Sequence, residues 1–423
     1  MRNEARVTPL APRRTGHPVV KKSQVYAIAP SKNTLLRPSG HAETAGLPLQ
    51  CAAMTQRLDV CIRGGGIVGH TLALLLARDR LRIGLVAPDP PADAAPDVRV
   101  YAINAKSRDV LASVRCWPEA DLATAVRAIQ VVGDDGGEVN FDAQALSVDA
   151  LTWIVDVPAL EAMLREAVRY QPHVVRLDAP QPATLTVVCE GRHSTTRDEL
   201  GVVFDAVPYP QHAIAARLRC EKPHGQVARQ WFNGPNILAL LPMDGAAGQR
   251  VGLVWSAPSG QTPELLALDE AAFCARVAEL SENSLGVLTL DSPRKAWPLQ
   301  SAQARQWTGV HQGQSWVLAG DAAHNIHPLA GQGLNLGLGD AAQLAQLIHD
   351  RTYWRPIDDP RLLRRYERAR RTEVTAVDWA MTGLQQLFSR PGAPWQRLRN
   401  WGMQAFDFSG SVKHWAARLA RGM

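Results

Sequence analysis

Gly64, Gly66 and Gly69 form a Gly-x-Gly-x-x-Gly set directly after the apolar run Leu58 to Ile62 and just before Thr71 to Ala77, a run suited to a helix packed on a sheet. Such a turn binds a dinucleotide pyrophosphate. The first glycine permits the tight turn, the second lets backbone approach the anion, the third lets helix and strand pack closely, and the helix start offers free N–H groups. A lone set of this kind is weak evidence, but a further strand, Arg82 to Ala87, follows at the distance a βαβ unit requires, which leaves a Gly-rich surface loop as the minor reading. Two positions fit badly. Ala87 stands where a carboxylate is expected to hold the adenosine ribose, with Asp89 as its substitute two residues on, and Arg63 is an odd residue for a buried strand end, directed at the phosphates or at solvent.

A second stretch, Trp316 to Leu344, reads as strand, loop and helix. Trp316 to Ala319 is a buried strand ending in Gly320-Asp321, where a carboxylate can accept a hydrogen bond from a ribityl hydroxyl. Gly331-Gln332-Gly333 opens a helix whose N-terminus can face the partly negative edge of a flavin, which favours the reduced, anionic ring. Asp321, His324 and His327 also have the three-residue spacing of metal ligands, but no further carboxylate or cysteine cluster supports a metal, and the Gly-rich continuation explains the stretch better. A structural role suits His324. No G-x-S-x-G elbow, P-loop lysine or H-E-x-x-H occurs, so acyl hydrolysis, phosphoryl transfer and zinc proteolysis lack their parts.

Gly320-Asp321-Ala-Ala-His324, with His327-Pro328-Leu-Ala-Gly331-Gln332-Gly333-Leu334-Asn335, resembles the second FAD motif of the single-component flavin aromatic hydroxylases, and within them the ubiquinone-biosynthesis hydroxylases. Asp97 to Asn104 is similar to the family's Arg-bearing stretch, and His224 to Phe232, Leu238 to Pro242, Arg365 to Arg370 and Leu387 to Ser389 agree as well. The resemblance spans residues 57–423. It implies that Gly64, Gly66 and Gly69 bind the ADP half of FAD, that Arg99 neutralises its pyrophosphate, that Gly320 and Asp321 meet the ribityl chain, and that Gly331, Gln332, Gly333, Leu334 and Asn335 lie against the isoalloxazine. Pro328 then borders the substrate pocket, for which His327, Pro328 and Trp231 are the candidates. It also implies NAD(P)H as a transient reductant without a Rossmann domain of its own, and O2 as co-substrate, added at the flavin C4a carbon before transfer to an electron-rich ring. Cys189-Glu190-Gly191-Arg192-His193-Ser194 departs from the Asp-Gly pair of the family's middle motif, and Val174 to Leu185 is short for it.

The elements that must position these residues follow an α/β plan: a Rossmann-type FAD-binding domain, an inserted antiparallel substrate sheet and a C-terminal helical region. The FAD-binding pieces fall at 54–125, 150–200 and 295–350. A substrate-domain hairpin at 126–149 turns around Asp134 to Gly137, and the rest of that domain, 201–294, holds the strands Ala213 to Cys220, Val227 to Phe232, Asn236 to Pro242 and Arg250 to Ser256. The sheet face over the flavin should form the pocket, with Trp231 and Trp255 as ring-stacking partners. Residues 361–389 read as a long amphipathic helix with Leu362, Leu363, Tyr366, Val374, Val377 and Met381 on its apolar side.

The net charge of +6 over 423 residues is uneven: +6 in residues 1–53, −8 in the body to Asp350 and +8 in 351–423, which excludes a basic nucleic-acid groove through the body. Residues 1–53 are rich in Pro, Ser, Thr and basic groups and read as a disordered tail: upstream sequence before a natural start at Met54, a transit peptide or a regulatory arm. Six scattered cysteines without C-x-x-C spacing point to reduced thiols and the cytoplasm. No apolar run approaches the ~20 residues of a membrane span. The arginines from Arg364 to Arg418 with Trp395, Trp401 and Trp415 suit peripheral contact at the inner face of an anionic membrane, and equally a solvated basic helix.

The leading reading is a hydroxylase of a polyprenylated phenol, working within a ubiquinone-biosynthesis complex. One rival keeps the chemistry but takes a soluble phenolic acid, held by Arg217, Arg219 and Tyr209. Another is a non-catalytic accessory flavoprotein, for which Ala87, Glu190 and Arg63 speak.

Overall fold

The structure, a computed structural model, describes residues 57–88, 96–133, 137–326 and 332–389, with side chains up to 379. The basic tail, and the aromatic and basic residues beyond Ser389, lie outside the described residues.

β1 (Leu58–Arg63) leads through the glycine turn into α1 (Ile67–Ala77) and returns as β2 (Ile83–Val86), parallel to β1 with Ile62 beside Leu85. α1 is apolar around its circumference, the composition of a helix covered on every side, and Ile67, Leu72, Leu74 and Leu76 are all buried. β9 (Ala183–Val188) pairs with the other edge of β1, β8 (Val174–Leu177) extends the sheet beyond β2, and the hairpin β16 (Thr308–His311) and β17 (Gln314–Leu318) closes it beside β9. All pairings but that of β16 are parallel, so the carboxyl ends of the strands gather at one edge, where such sheets bind ligands. α3 (Val157–Arg169) is capped by Asp156 and packs Leu160, Leu164 and Val168 against this core.

The large sheet has the order β18 (His324–Asn325), β15 (Lys295–Ala304), β10 (Phe204–Cys220), β13 (Arg250–Pro258), β12 (Asn236–Met243), β11 (Val227–Asn233), β5 (Ala128–Val132), β6 (Glu138–Asp142), with β14 (Leu288–Leu290) on the end of β10. The expected strands are all present, but the sheet is not wholly antiparallel. β5 runs parallel to β11 because it arrives from the strand just upstream, β4 (Ala123–Val126), not by a hairpin from β11. β10 also starts at Phe204, well before Ala213, because a register shift between Pro208 and His212 accommodates the prolines.

Alternation along these strands sorts the side chains. Ile214, Leu218, Leu240 and Trp255 face one way and are covered by α5 (Thr262–Ala267) and α6 (Glu270–Leu280), the latter contributing Phe273 and Val277. The opposite face meets the small sheet of β3 (Val100–Ile103), β7 (Thr152–Asp156) and β4; Gly252 permits that approach, since a Cβ there would lie 2.4 Å from Val100 Cγ2. α2 (Ala105–Ser113), α4 (Thr195–Glu199), α7 (Gly333–His349) and α8 (Pro360–Ser389) complete the fold. On α8 the expected Leu362, Leu363, Tyr366 and Val374 are buried and Val377 is half-buried, while the Met381 side chain lies outside the described residues.

Candidate functional site

The three motif glycines do three different jobs. Gly64 has φ +122°, and a Cβ on it would lie 2.3 Å from the Cys189 carbonyl oxygen. A Cβ on Gly69 would lie 2.0 Å from the Gly64 oxygen, so this glycine lets α1 close on the turn. Gly66 faces open space, with nothing within 4 Å, and serves as the N-cap of α1 without a side-chain hydrogen bond. That leaves room and undirected N–H groups for an anion at the helix start.

The second motif lies against the first. After β17 the chain turns through Gly320 (φ +63°) into a single 3-10 turn, Gly320–Ala322, and a Cβ on Gly320 would lie 3.3 Å from Val68 Cγ2 in the first turn of α1. Asp321 is solvent-exposed, yet desolvation by the protein around it pushes its carboxyl pKa up against the pull of His324, Arg192 and Arg99. Desolvation likewise raises the Tyr101 hydroxyl on β3, and the Asp321 charge adds to the rise. Arg99, just before β3, is already engaged: its Nε donates to Asp97 at 2.9 Å, its Nη1 to the Tyr101 hydroxyl at 3.3 Å, and Glu161 stands 4.0 Å away.

The start of α7 is tied down rather than free. Asn335 accepts the Asn104 N–H at 3.0 Å and donates to the Ala102 carbonyl at 2.9 Å and to Gln332 Oε1 at 3.3 Å, while Asn104 in turn caps α2. The Asn335 amide therefore locks β3, α2 and α7 together, and its side chain is committed to the protein. The glycine cradle, the carboxylate on the adjoining turn and the helix N-terminus beside them fit a flavin dinucleotide.

The FAD-binding-domain family matches residues 181–380. The chain is 30% identical to the 3-demethoxyubiquinol 3-hydroxylase of Escherichia coli, over 87% of this chain and 99% of that protein. It is also 30% identical to the ubiquinone hydroxylase UbiL of Rhodospirillum rubrum, over 86% and 89% respectively. The chain belongs to the ubiquinone-biosynthesis hydroxylases. It is thus an FAD-dependent monooxygenase, and its fold is that of the p-nitrophenol 4-monooxygenase PnpA of Pseudomonas putida (TM-score 0.68, 17% identity, 85% of this chain and 96% of that one).

Within this hydroxylase the two oddities of the sequence explain each other. Arg63, at the end of β1, donates to Glu190 at 3.2 Å and to Glu199 at 3.3 Å. Glu190, at the end of β9, also accepts from the Ser194 hydroxyl at 2.7 Å and from Thr196 N at 3.1 Å, holding the start of α4. Neither residue then argues for a degenerate accessory protein; only Ala87 does. Asp89, His327, Pro328 and Gly331 lie outside the described residues.

Trp231 must be corrected. It is 2% exposed and sits with Trp255 and Phe273 in the core under α6, because its place beside Leu238 turns it to the helix-covered face. The register puts different residues on the flavin-domain face: Ala213, Ala215, Ala239 and Val254, with Trp297 paired to Ala213 and Lys295 to Ala215. Sequence alone could not show this, because the facing of Trp297 depends on which residue of β10 it pairs with. Arg217 shares that face but is committed. Its Nη1 meets Asp156 at 2.6 Å, and its Nε and Nη2 donate to the Val98 and Asp97 carbonyls.

Proposed function

We propose that this hydroxylase adds one atom of O2 to the ring of a neutral, polyprenylated phenol in ubiquinone biosynthesis, with FAD resident and NAD(P)H as a passing reductant. The observation that carries the substrate class is Arg217. Bound to Asp156 and two carbonyls, it is not free to pair with a substrate carboxylate, and Arg219 on the same strand is drawn to Asp291 at 2.9 Å. Ala213, Ala215, Ala239 and Val254 make the centre of the flavin-domain face apolar and small, with half-buried Trp297 and Lys295 beside them; Lys295 stands close enough to Asp97 to lower that carboxyl's pKa, which leaves a wall suited to an uncharged ring. The ubiquinone hydroxylase names of the two bacterial relatives support the same class.

FAD supplies the oxygen chemistry, and the protein binds, orients and excludes water. Gly64, Gly66 and Gly69 would hold the pyrophosphate with Arg99 beside it, Asp321 would accept from the ribityl chain, and the start of α7 at Gln332, Gly333 and Leu334 would meet the ring. Peripheral membrane contact at the cytoplasmic face and membership of a biosynthetic complex belong to the same proposal. Tyr353 (92% exposed) and Trp354 (67% exposed), stacked edge to face before α8, and the exposed Arg361, Arg364, Arg365 and Arg368 on α8 suit an anionic lipid surface.

The test is NAD(P)H oxidation and isotopic oxygen incorporation by the FAD-loaded chain, with a short-chain prenylated phenol set against a hydroxybenzoate of equal ring substitution. Oxygen should enter the neutral phenol. Preferential turnover of the carboxylate would reverse the assignment of substrate class.

A further inference from the structure

Asp340, in the middle of α7, has no solvent exposure, and a carboxylate in such a place is stable only where donors converge on it. Three do. Its Oδ2 accepts the Gly320 N–H at 2.8 Å and His324 Nε2 at 2.6 Å, and its Oδ1 accepts Arg370 Nε at 2.6 Å. Desolvation opposes the charge on Asp340, but His324 and Arg370 outweigh it and hold the carboxyl below its ordinary range. Arg370, on α8 and 2% exposed, also donates to the Leu336 carbonyl at 3.0 Å and pairs with Glu373. The His324 ring stacks on Trp307 with centroids 5.0 Å apart, and the Tyr366 hydroxyl donates to the Leu318 carbonyl at 3.0 Å.

The glycines of α7 make room for this arrangement. A Cβ on Gly339 would lie 2.9 Å from Arg370 Nη2, and one on Gly337 would lie 2.8 Å from Val68 Cγ2 and 3.3 Å from Gly320 Cα. Gly337 and Gly339 therefore cut away the helix surface on either side of Asp340, the first where the Gly320 turn comes in and the second where the α8 guanidinium does.

We propose that Asp340 is the positioning residue of the cofactor site: it fixes the Gly320–Asp321 turn from behind, so that flavin affinity depends on a carboxylate that never touches the flavin. The physical reason is the conformation of the turn. Gly320 sits at φ +63° and is followed at once by the 3-10 turn, and its N–H is anchored by Asp340. Without that anchor Gly320, the residue with the widest conformational choice, relaxes, and Asp321 next to it moves with it. The inference rests on the reading that Asp321 meets the ribityl chain.

The full chain, stripped of flavin, is titrated with FAD, FMN and ADP, and the thermal midpoint of each flavin-free variant is recorded. Asp340→Asn should weaken FAD and FMN about tenfold, the effect of one charged hydrogen bond, and leave ADP within twofold, because ADP lacks the ribityl chain. Leu344→Ala, a core change on the same helix, should lower the midpoint at least as far and leave all three affinities within twofold. If Asp340→Asn does not fold, Gly339→Ala decides the matter: it crowds Arg370 without removing a charge and should weaken the two flavins several-fold, and not ADP. Equal losses for FAD, FMN and ADP, or flavin losses in Leu344→Ala that match its fall in midpoint, would overturn the proposal. Failure of the ribityl reading itself looks different: Asp321→Ala would then leave FAD and FMN affinity untouched.

Discussion

The two ends of the cofactor groove are built unlike each other. At the flavin end, a turn is held by a fully buried carboxylate, itself held by a guanidinium and an imidazole, and the neighbouring helix start is locked by Asn335. At the adenosine end β2 runs out at Ala87, whose methyl offers no hydrogen bond and whose carbonyl accepts Arg176 Nη2 at 2.8 Å. Arg99, the residue proposed to neutralise the pyrophosphate, has its charge already met by Asp97, whose hydrogen bond raises the Arg99 pKa further. A scaffold built this way would place more of the weight of cofactor recognition on the ring than on the sugar of the nucleotide. The flavin end should then dominate affinity.

The largest expected effect lies at the turn both ends share. Gly64→Ala forces a side chain into a left-handed conformation and into the Cys189 carbonyl, at a cost of roughly 3 kcal/mol or more, read as loss of soluble protein or a steep fall in the denaturant midpoint. A variant as stable as the parent would show the turn to be soft, and the comparison would lose its fixed centre. Next comes the contrast between the ends. Asp321→Asn should weaken FAD about tenfold or more, whereas Arg99→Met should weaken it only a few-fold because Asp97 already offsets that charge. Asp321 also gives a sign in pH. Desolvation raises its pKa in the free chain, and a donating ribityl hydroxyl favours the ionised form, so FAD affinity should climb as pH rises through that raised range and then level. The asparagine variant should be flat over the same titration.

How far this was legible in the sequence follows the same division. The glycine turn and Gly320-Asp321 could be read because their chemistry is local: a positive φ, a close approach and a helix start leave their mark on neighbouring residues. The four strands from Ala213 to Ser256 could be read from alternation. Asp340, Arg370 and the facing of Trp231 against Trp297 could not. The first pair meets across two helices thirty residues apart, and the Trp positions depend on strand register, which no single strand encodes. Asp340 had one signal, a charged residue within the uncharged small and apolar stretch Leu336 to Ala342 of α7.

A smaller effect probes the weak end directly. Ala87→Glu restores a carboxylate where the ribose is expected, and one hydrogen bond to a hydroxyl should tighten FAD about five- to tenfold while leaving FMN, which has no adenosine, unchanged. Equal gains for both flavins would mean that the substitution acts through folding, and no gain would mean that Asp89 already fills the role.

The smallest effect tests whether Arg63 and Glu190 compensate each other. Arg63→Met and Glu190→Gln each break the pair at the carboxyl ends of β1 and β9, but Glu190→Gln also disturbs Ser194 and Thr196, so it should cost more. A double-mutant cycle isolates the coupling, expected at about 1 kcal/mol for a half-screened pair. The pH dependence adds a check. Desolvation alone would raise the Glu190 carboxyl, but hydrogen bonds from Thr196 and Ser194, with Arg63 beside it, leave it depressed. A depressed carboxyl contributes stability that is present above its unfolded pKa and is lost as pH falls through the folded value, so acid unfolding of the parent should be steeper than that of Glu190→Gln. Coupling near zero with unchanged acid unfolding would return Arg63 and Glu190 to the status of unexplained departures, and the adenosine end would again have three anomalies instead of one.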